Sequence, residues 1–235
     1  MFDASAEFYD LIYATIKDYP AEAGHIASLL RRLNPACRTV LDVACGTGEH
    51  ARLLAHAGFI VDGVDLDAVF VRLARQKHPS GRFFEADMAT FRLPHRYDAV
   101  TCLFGSIGYL RTLDRVGEAL TSFRGHLAPG GVVVIEPWFA PGVLEHGRVA
   151  HNTGEVGGIR VTRHSRVDVA GRLSRLHFDY EIDDGSGTRR ASEVHELGLF
   201  TTAELLEAFR RAGLEAHYDP KGFTDRGLYL ARIAA

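Results

Sequence analysis

Residues Thr39 to Gly48 read TVLDVACGTG, and the chain continues as EHARLLAHAG. The first part is a short apolar run rich in β-branched side chains, which suit a buried pleated strand. It stops on Cys45-Gly46-Thr47-Gly48 and gives way to a helical repeat, so the order is strand, glycine turn, helix. Downstream the unit recurs. IVDGVDL reads as strand and AVFVRLARQKH as helix; RFFEADM is a third strand, followed by a loop with Pro94. YDAVTCLFGS is a fourth, and LDRVGEALTSFRGHL is its helix, with Leu113, Val116, Leu120, Phe123 and Leu127 on one face. After the turn Ala128-Pro129-Gly130-Gly131 comes the fifth strand, VVVIEP. Near-continuous apolar strands separated by helices imply βαβ units and a parallel sheet covered on both faces, hence a doubly wound α/β fold.

Upstream, the first thirty residues read as helix, with Phe8, Leu11 and Ile12 in FYDLIY and then Ile26, Leu29, Leu30 and Leu33 sharing a face before Asn34-Pro35. From Arg148 to Leu199 the period changes to two, in IRVTRHSRVDV, RLSRLHFDYEI and RRASEVHELGL, with a turn at Asp184-Gly185-Ser186-Gly187. That pattern predicts an antiparallel meander inserted into the sheet domain. A final helix, TAELLEAFRRAG, leads to LEAHYD and RGLYLARIA, two strands without a crossover helix, which pair antiparallel. The expected organisation is a ligand-binding domain of residues 1–140 and 199–235 with an inserted subdomain of residues 141–198.

Composition bounds the partners. The 235 residues, 46% hydrophobic and 24% charged, allow one large domain or two small ones of soluble type. The net charge of -3 comes without any block of like charges, so no polyanion-binding surface for nucleic acid is expected. No apolar run approaches the ~18 residues that span a bilayer, and the acidic MFDASAEFYDLIY lacks signal-peptide character, so no membrane association is expected and the chain is expected to start at Met1. Cys37, Cys45 and Cys102 are too few for a disulfide framework, which points to a reducing, cytoplasmic compartment. The 12 His include no HExxH and no paired Cys at metal spacing, so no metal site is expected. His126 falls at the wrong end of its helix for chemistry, and His50, His56, His164, His177 and His195 fit exposed faces.

In an open parallel sheet, ligands sit beyond the carboxyl ends of the strands. Gly46 and Gly48 leave the first strand there, where a missing Cβ admits a ligand to the backbone and the next helix supplies free N–H groups. Asp65 ends the second strand, placed to accept both hydroxyls of a ribose, and Asp87-Met88 ends the third. A dinucleotide site would use Gly46, Gly48 and Ala51 as G-x-G-x-x-A. Against it stand the terminal strand pair and Asp42, which repels a pyrophosphate and welcomes a cationic or amino-acid moiety.

LDVACGTG, VDLD, EADM, LAPGGVVVIEP and RGLYLA resemble class I S-adenosylmethionine-dependent methyltransferases, strongly over Thr39 to Ile135. The resemblance implies a Rossmann-like seven-stranded sheet with its last strand antiparallel, and S-adenosyl-L-methionine as cofactor. It carries the amino-acid end of the cofactor onto Ala44, Gly46 and Gly48, the ribose onto Asp65 and Leu66, and the adenine onto Asp87 and Met88, with Asp42 and Leu103 also expected to bind cofactor. Ala44 stands where the pattern often has glycine, which is tolerated if its φ is negative.

FYDLIY, KDYPAEA, CLFGSIGYL, VVVIEPWF and RGLYL are similar to nucleotide-linked amino-sugar N-methyltransferases, which dimethylate a deoxyaminosugar on thymidine diphosphate in antibiotic biosynthesis. The resemblance implies an N-terminal lid, a small-molecule TDP-linked amino-sugar substrate and a homodimer. Tyr13 in the lid and Tyr109 after the fourth strand are the candidate catalytic groups. Trp138 is expected to stack on a sugar or base, Arg226 to pair with the diphosphate, and Tyr19 to border the substrate. The chain has Trp138-Phe139 where those relatives carry a tandem Trp, and Gly105-Ser106 where they often have Ser-Ser. N- or O-methylation of another small natural product, an NAD-linked oxidoreductase and a non-catalytic cofactor-binding protein stay open at this level.

Overall fold

The computed structural model describes residues 6–234; the expected start at Met1 lies outside them. A 3-10 turn, Ala6–Phe8, runs into α1 (Tyr9–Tyr13), and α2 (Tyr19–Leu33) follows a break. The break falls where the Asp18 side chain accepts the Ala21 N–H as N-cap and Pro20 sits in the first turn, where its missing N–H costs nothing. The sheet domain then runs β1 (Thr39–Val43), α3 (Glu49–His56), β2 (Ile60–Asp65), α4 (Ala68–Lys77), β3 (Phe83–Glu85), β4 (Tyr97–Cys102), α5 (Leu113–Gly125) and β5 (Leu127–Ile135). After the insertion come α6 (Thr202–Arg211), β10 (Leu214–Asp219) and β11 (Leu228–Ile233). The seven strands lie in the order β10-β11-β5-β4-β1-β2-β3, with β11 antiparallel to both neighbours and the other pairs parallel.

Helices cover both faces of this sheet. On one, Val116, Leu120 and Phe123 of α5, all fully buried, pack with Phe209 of α6 on Val100, Val133 and Tyr229. On the other, Ile26 and Leu30 of α2 and Leu54 of α3 pack on Val40, Val61 and Val134. Each such side chain contributes about 1.5–3 kcal/mol through burial. Among the described residues no helix is long and apolar enough to cross a membrane.

The insertion is a four-stranded antiparallel sheet, β6 (Val149–Val156), β7 (Ile159–Ala170), β8 (Leu173–Asp183) and β9 (Thr188–Gly198). Period two revealed the last three strands but not β6, a mostly exposed edge strand whose one buried residue is Gly154. A Cβ there would lie 2.8 Å from Leu11, so the glycine admits α1 against the strand. α1 thereby bridges the two sheets. Ile12 enters the cluster of Val161, Phe178, Tyr180 and Ile182, while Asp10 holds Lys77 at 2.6 Å and accepts the Thr47 hydroxyl at 2.5 Å. A second difference concerns β5, which begins at Leu127, so Gly130 and Gly131 lie inside the strand at a register shift rather than in a turn before it.

Asp62, at mid-strand in β2 and 2% exposed, binds the Arg82 guanidinium at 2.6 Å, the Arg82 N–H at 2.9 Å and the Tyr97 hydroxyl at 2.8 Å. Burial raises its pKa, but these donors outweigh it and hold the carboxyl below the usual range. A folded value below the unfolded ~3.9 gives stability that is present above pH ~4 and lost as pH falls through the folded value. Asp62→Asn should cost roughly 2 kcal/mol at neutral pH, the exposed end of Arg82 being screened, and flatten the melting temperature's fall between about pH 4 and 2. Calorimetry across that range checks both; an unchanged slope would remove Asp62 from the acid response.

Candidate active site

Ala44, Gly46 and Gly48 alternate in the left-handed region, at φ 56°, 54° and 78°. The condition of a negative φ, under which a side chain at 44 is tolerated without strain, is not met. A residue with a Cβ held there stores about 1–2 kcal/mol of strain, of the kind that persists where neighbours over-determine the backbone. Here the turn is fixed from β2: Asp65 accepts the Gly46 N–H at 2.8 Å and the Asp67 N–H at 2.9 Å. Gly48 faces α4, where a Cβ would lie 2.9 Å from that of Ala74, and it lines neither cavity described below.

The turn opens on a cavity of about 960 Å³ between the two sheets, close to the upper end for small-molecule sites. Of the residues expected to bind cofactor or acceptor, it is lined by Tyr13, Ala44, Gly46, Asp65, Leu66, Asp87, Met88, Tyr109, Trp138 and Arg226. Asp42, Tyr19 and Leu103 instead line a smaller, adjoining cavity that shares Ala44 and Gly46 with the first.

At the β2 end, burial pushes the Asp65 carboxyl up to about 6, against the two N–H bonds that lower it. Leu66 is 52% exposed and presents apolar surface to the cavity beside half-buried Met88. Asp87 accepts the Ala89 N–H at 2.8 Å and is shared with Arg115 at 2.5 Å. The smaller cavity is polar. Asp42, 2% exposed and raised in pKa by burial, accepts the Thr101 hydroxyl at 2.9 Å. Lys17 lies 3.7 Å over the Phe104 ring and binds Glu22 at 2.7 Å, and Glu22 also meets His50 at 3.0 Å. Sequence reasoning singled out neither Glu22 nor His50 for the site, and it placed His50 on an exposed face, whereas it is buried.

The β4 and β5 ends are joined by Glu136, 3% exposed. Its Oε2 accepts the Phe104 N–H at 2.6 Å, and its Oε1 accepts the Thr224 hydroxyl at 2.7 Å and Arg226 Nη2 at 2.5 Å. Arg226, expected to pair with a diphosphate, lines the cavity with its charge balanced by Glu136. Trp138 donates its indole N–H to Ser174 at 2.9 Å, and the missing Cβ atoms of Gly105 and Gly108 make room for it. His126 accepts the Leu93 N–H and is structural.

The inserted sheet supplies what the sequence did not reveal. Arg163 of β7, 5% exposed, faces the rings of Tyr13 at 4.9 Å and Phe178 at 4.6 Å. Its Nη2 reaches Asn152 at 3.2 Å, while Nε and Nη1 are buried without a hydrogen-bond partner among the described residues. Tyr13 is raised in pKa by burial, with Arg163 opposing. His195, expected on an exposed face, is 2% exposed and lines the cavity.

These groups suit S-adenosylmethionine. Apolar Leu66 and Met88 are available to a flat base, Asp65 has acceptor capacity left for a diol, and Asp42 beside Lys17 offers opposite charges to an amino-acid zwitterion.

Residues 40–131 match the family described as a methyltransferase domain. The dTDP-3-amino-3,6-dideoxy-α-D-glucopyranose N,N-dimethyltransferase of Streptomyces fradiae is 40% identical over 95% of this chain and 89% of its own length. The crystal structure of Streptomyces venezuelae DesVI superposes with a TM-score of 0.92 at 39% identity, covering 98% of each chain. CalS10, an amino pentose methyltransferase of calicheamicin biosynthesis from Micromonospora echinaspora solved with S-adenosylmethionine bound, gives 0.87 at 36% identity over 97% of each chain. With its fold, its cavity and these relatives in agreement, the chain belongs to the S-adenosylmethionine-dependent methyltransferase family that includes the nucleotide-linked amino-sugar N,N-dimethyltransferases.

Proposed function

We propose that the protein methylates the amino group of a nucleotide-linked deoxyamino sugar. The observation that carries the acceptor class is Arg163: its guanidinium stands in the cavity wall against Tyr13, with donor capacity beyond its bond to Asn152, and so suits the diphosphate of a nucleotide sugar once Tyr13 gives way to the ligand. Arg226, already paired with Glu136, adds at most a donor. On this reading the cofactor's amino-acid end lies against Asp42, Ala44, Gly46, Leu103 and Lys17, its ribose against Asp65, and its adenine between Leu66 and Met88 with Asp87 on the exocyclic amine. The glycine at 48 serves the close packing of α4. Tyr13 and Tyr109 flank the acceptor, Trp138 stacks on its sugar or base, and Tyr19 backs the smaller cavity. Residues 141–198 form the roof over the acceptor, and residues 1–140 and 199–235 form the cofactor domain.

Bound S-adenosylmethionine supplies a sulfonium methyl that already carries a good leaving group. The protein's work is therefore orientation, exclusion of water and removal of the proton from an amine that is charged at neutral pH. α1 borders the cavity with Tyr9 and Tyr13, which serve to keep water from the reacting amine. The buried thiols of Cys37, Cys45 and Cys102 are unpaired, which supports a cytoplasmic location, and a homodimer is expected by sedimentation.

Incubation with S-adenosylmethionine and dTDP-linked 3-amino and 4-amino deoxysugars tests the assignment, with mass increments of 14 and 28 expected on the sugar, one per methyl. Cofactor binding with turnover only on hydroxyl acceptors would overturn it, and calorimetric binding of NAD in place of S-adenosylhomocysteine would remove the methyltransferase reading.

A further inference from the structure

Two buried titratable side chains remain without a role. Glu193 and His195 stand two apart on β9, 8% and 2% exposed, while Val194 between them is 56% exposed. This polarity is the reverse of what burial alone favours. The Tyr109 hydroxyl lies 3.2 Å from His195 Nδ1, and His195 Nε2 lies 3.2 Å from Glu193 Oε2, which also accepts the Tyr180 hydroxyl at 3.4 Å. A carboxylate only accepts, so Nε2 carries the imidazole proton, and Nδ1 is left to accept from Tyr109. The chain of bonds runs from the cavity wall, where Tyr109 and His195 both stand, into the inserted sheet.

We propose that Tyr109, His195 and Glu193 form a proton relay that deprotonates the acceptor ammonium before methyl transfer. Tyr109 touches the substrate; His195 and Glu193 act through it as positioning residues. The inference rests on an amine being the acceptor. In the step, the ammonium N–H bond breaks and its proton joins a lone pair of the Tyr109 oxygen. The Tyr109 O–H proton passes to His195 Nδ1, and the amine keeps the electron pair that attacks the methyl. Glu193 balances the imidazolium. The phenol is neutral before and after, as it must be, because burial holds its pKa well above the usual range and a phenolate base is excluded. The titratable groups that face the relay are Tyr9 and Tyr13 from α1, Asp65 from β2 and Tyr180 from β8, with Arg163 of β7 against Tyr13.

The test is the pH dependence of kcat and KM on dTDP-3-amino-3,6-dideoxyglucose for the full chain and its His195→Gln, Glu193→Gln and Tyr109→Phe variants. His195→Gln should lower kcat about 100-fold at pH 7 with little change in KM. The deficit should shrink toward zero as the pH passes the amine's own pKa, because the acceptor then arrives deprotonated. Glu193→Gln should show a smaller deficit of the same shape. Tyr109→Phe leaves β9 untouched and carries the test if the β9 variants fail to fold, S-adenosylhomocysteine binding being the control for folding. A deficit that is constant at every pH overturns the relay alone. Absence of wild-type turnover on any amino sugar overturns the acceptor assignment and the relay together.

Discussion

Asp65→Ala is expected to weaken S-adenosylhomocysteine binding on the order of 100-fold, from two lost charge-assisted hydrogen bonds worth about 3 kcal/mol together. The same carboxylate accepts the Gly46 and Asp67 N–H groups, so the substitution also loosens the glycine turn. Titration calorimetry separates the two effects through pH. Burial has pushed this group up to about 6 in the free protein, and ribose hydroxyls require its ionised form as acceptor. Affinity should be constant above about pH 7 and fall below 6, approaching tenfold per unit. The sign for folding is opposite to that of Asp62: a raised acid pKa makes the free protein lose stability as pH rises from ~3.9 to 6. Cofactor should therefore raise the melting temperature more at pH 7.5 than at 5. A pH-independent affinity in the wild type would remove Asp65 from the cofactor site.

Arg163→Met is the second. Methionine keeps an unbranched apolar stem against Tyr13 and Phe178 but removes the donors, so kcat/KM for a nucleotide sugar should fall on the order of 100-fold, about 3 kcal/mol. Folding should respond differently: with two buried donor nitrogens that lack a hydrogen-bond partner among the described residues gone from the interior, the melting temperature should hold or rise. Arg163→Lys should recover only part of the loss, since an ammonium lacks the planar fork that matches a diphosphate. A large fall in melting temperature with unchanged KM would make Arg163 a structural residue.

The cofactor half of this site is legible in the sequence because a parallel sheet delivers the end of every strand to one edge. TVLDVACGTG, VDLD and EADM need no tertiary information to be placed together. The acceptor half is not, because period two identifies a strand without saying which of its faces meets the cavity. In β9 the two rows even exchange their usual character, with valine outside and glutamate and histidine inside, as at sites where function overrides local preference. Arg163 offers no signal of its own in IRVTRHSRVDV, where arginine recurs on both faces. Likewise no pattern marks Ala44 as left-handed; the turn is held by tertiary bonds from β2, the Cys45 N–H to the Val64 carbonyl and the Gly46 N–H to Asp65. Topology puts Arg226 at the ligand edge but gives no sign of its partner, since Glu136 lies ninety positions away.

That pairing bears on how such a protein can be altered. Glu136 is a shared keystone for three segments that lie far apart in the sequence: the chain after β4, the chain after β5 and the loop before β11. Replacing any one of them by a segment that lacks its partner orphans a buried charge, whereas transplanting the three as a cassette preserves the pairing. Acceptor preference in this scaffold should thus drift in blocks, and recombination libraries should cross over outside the cassette, never within it.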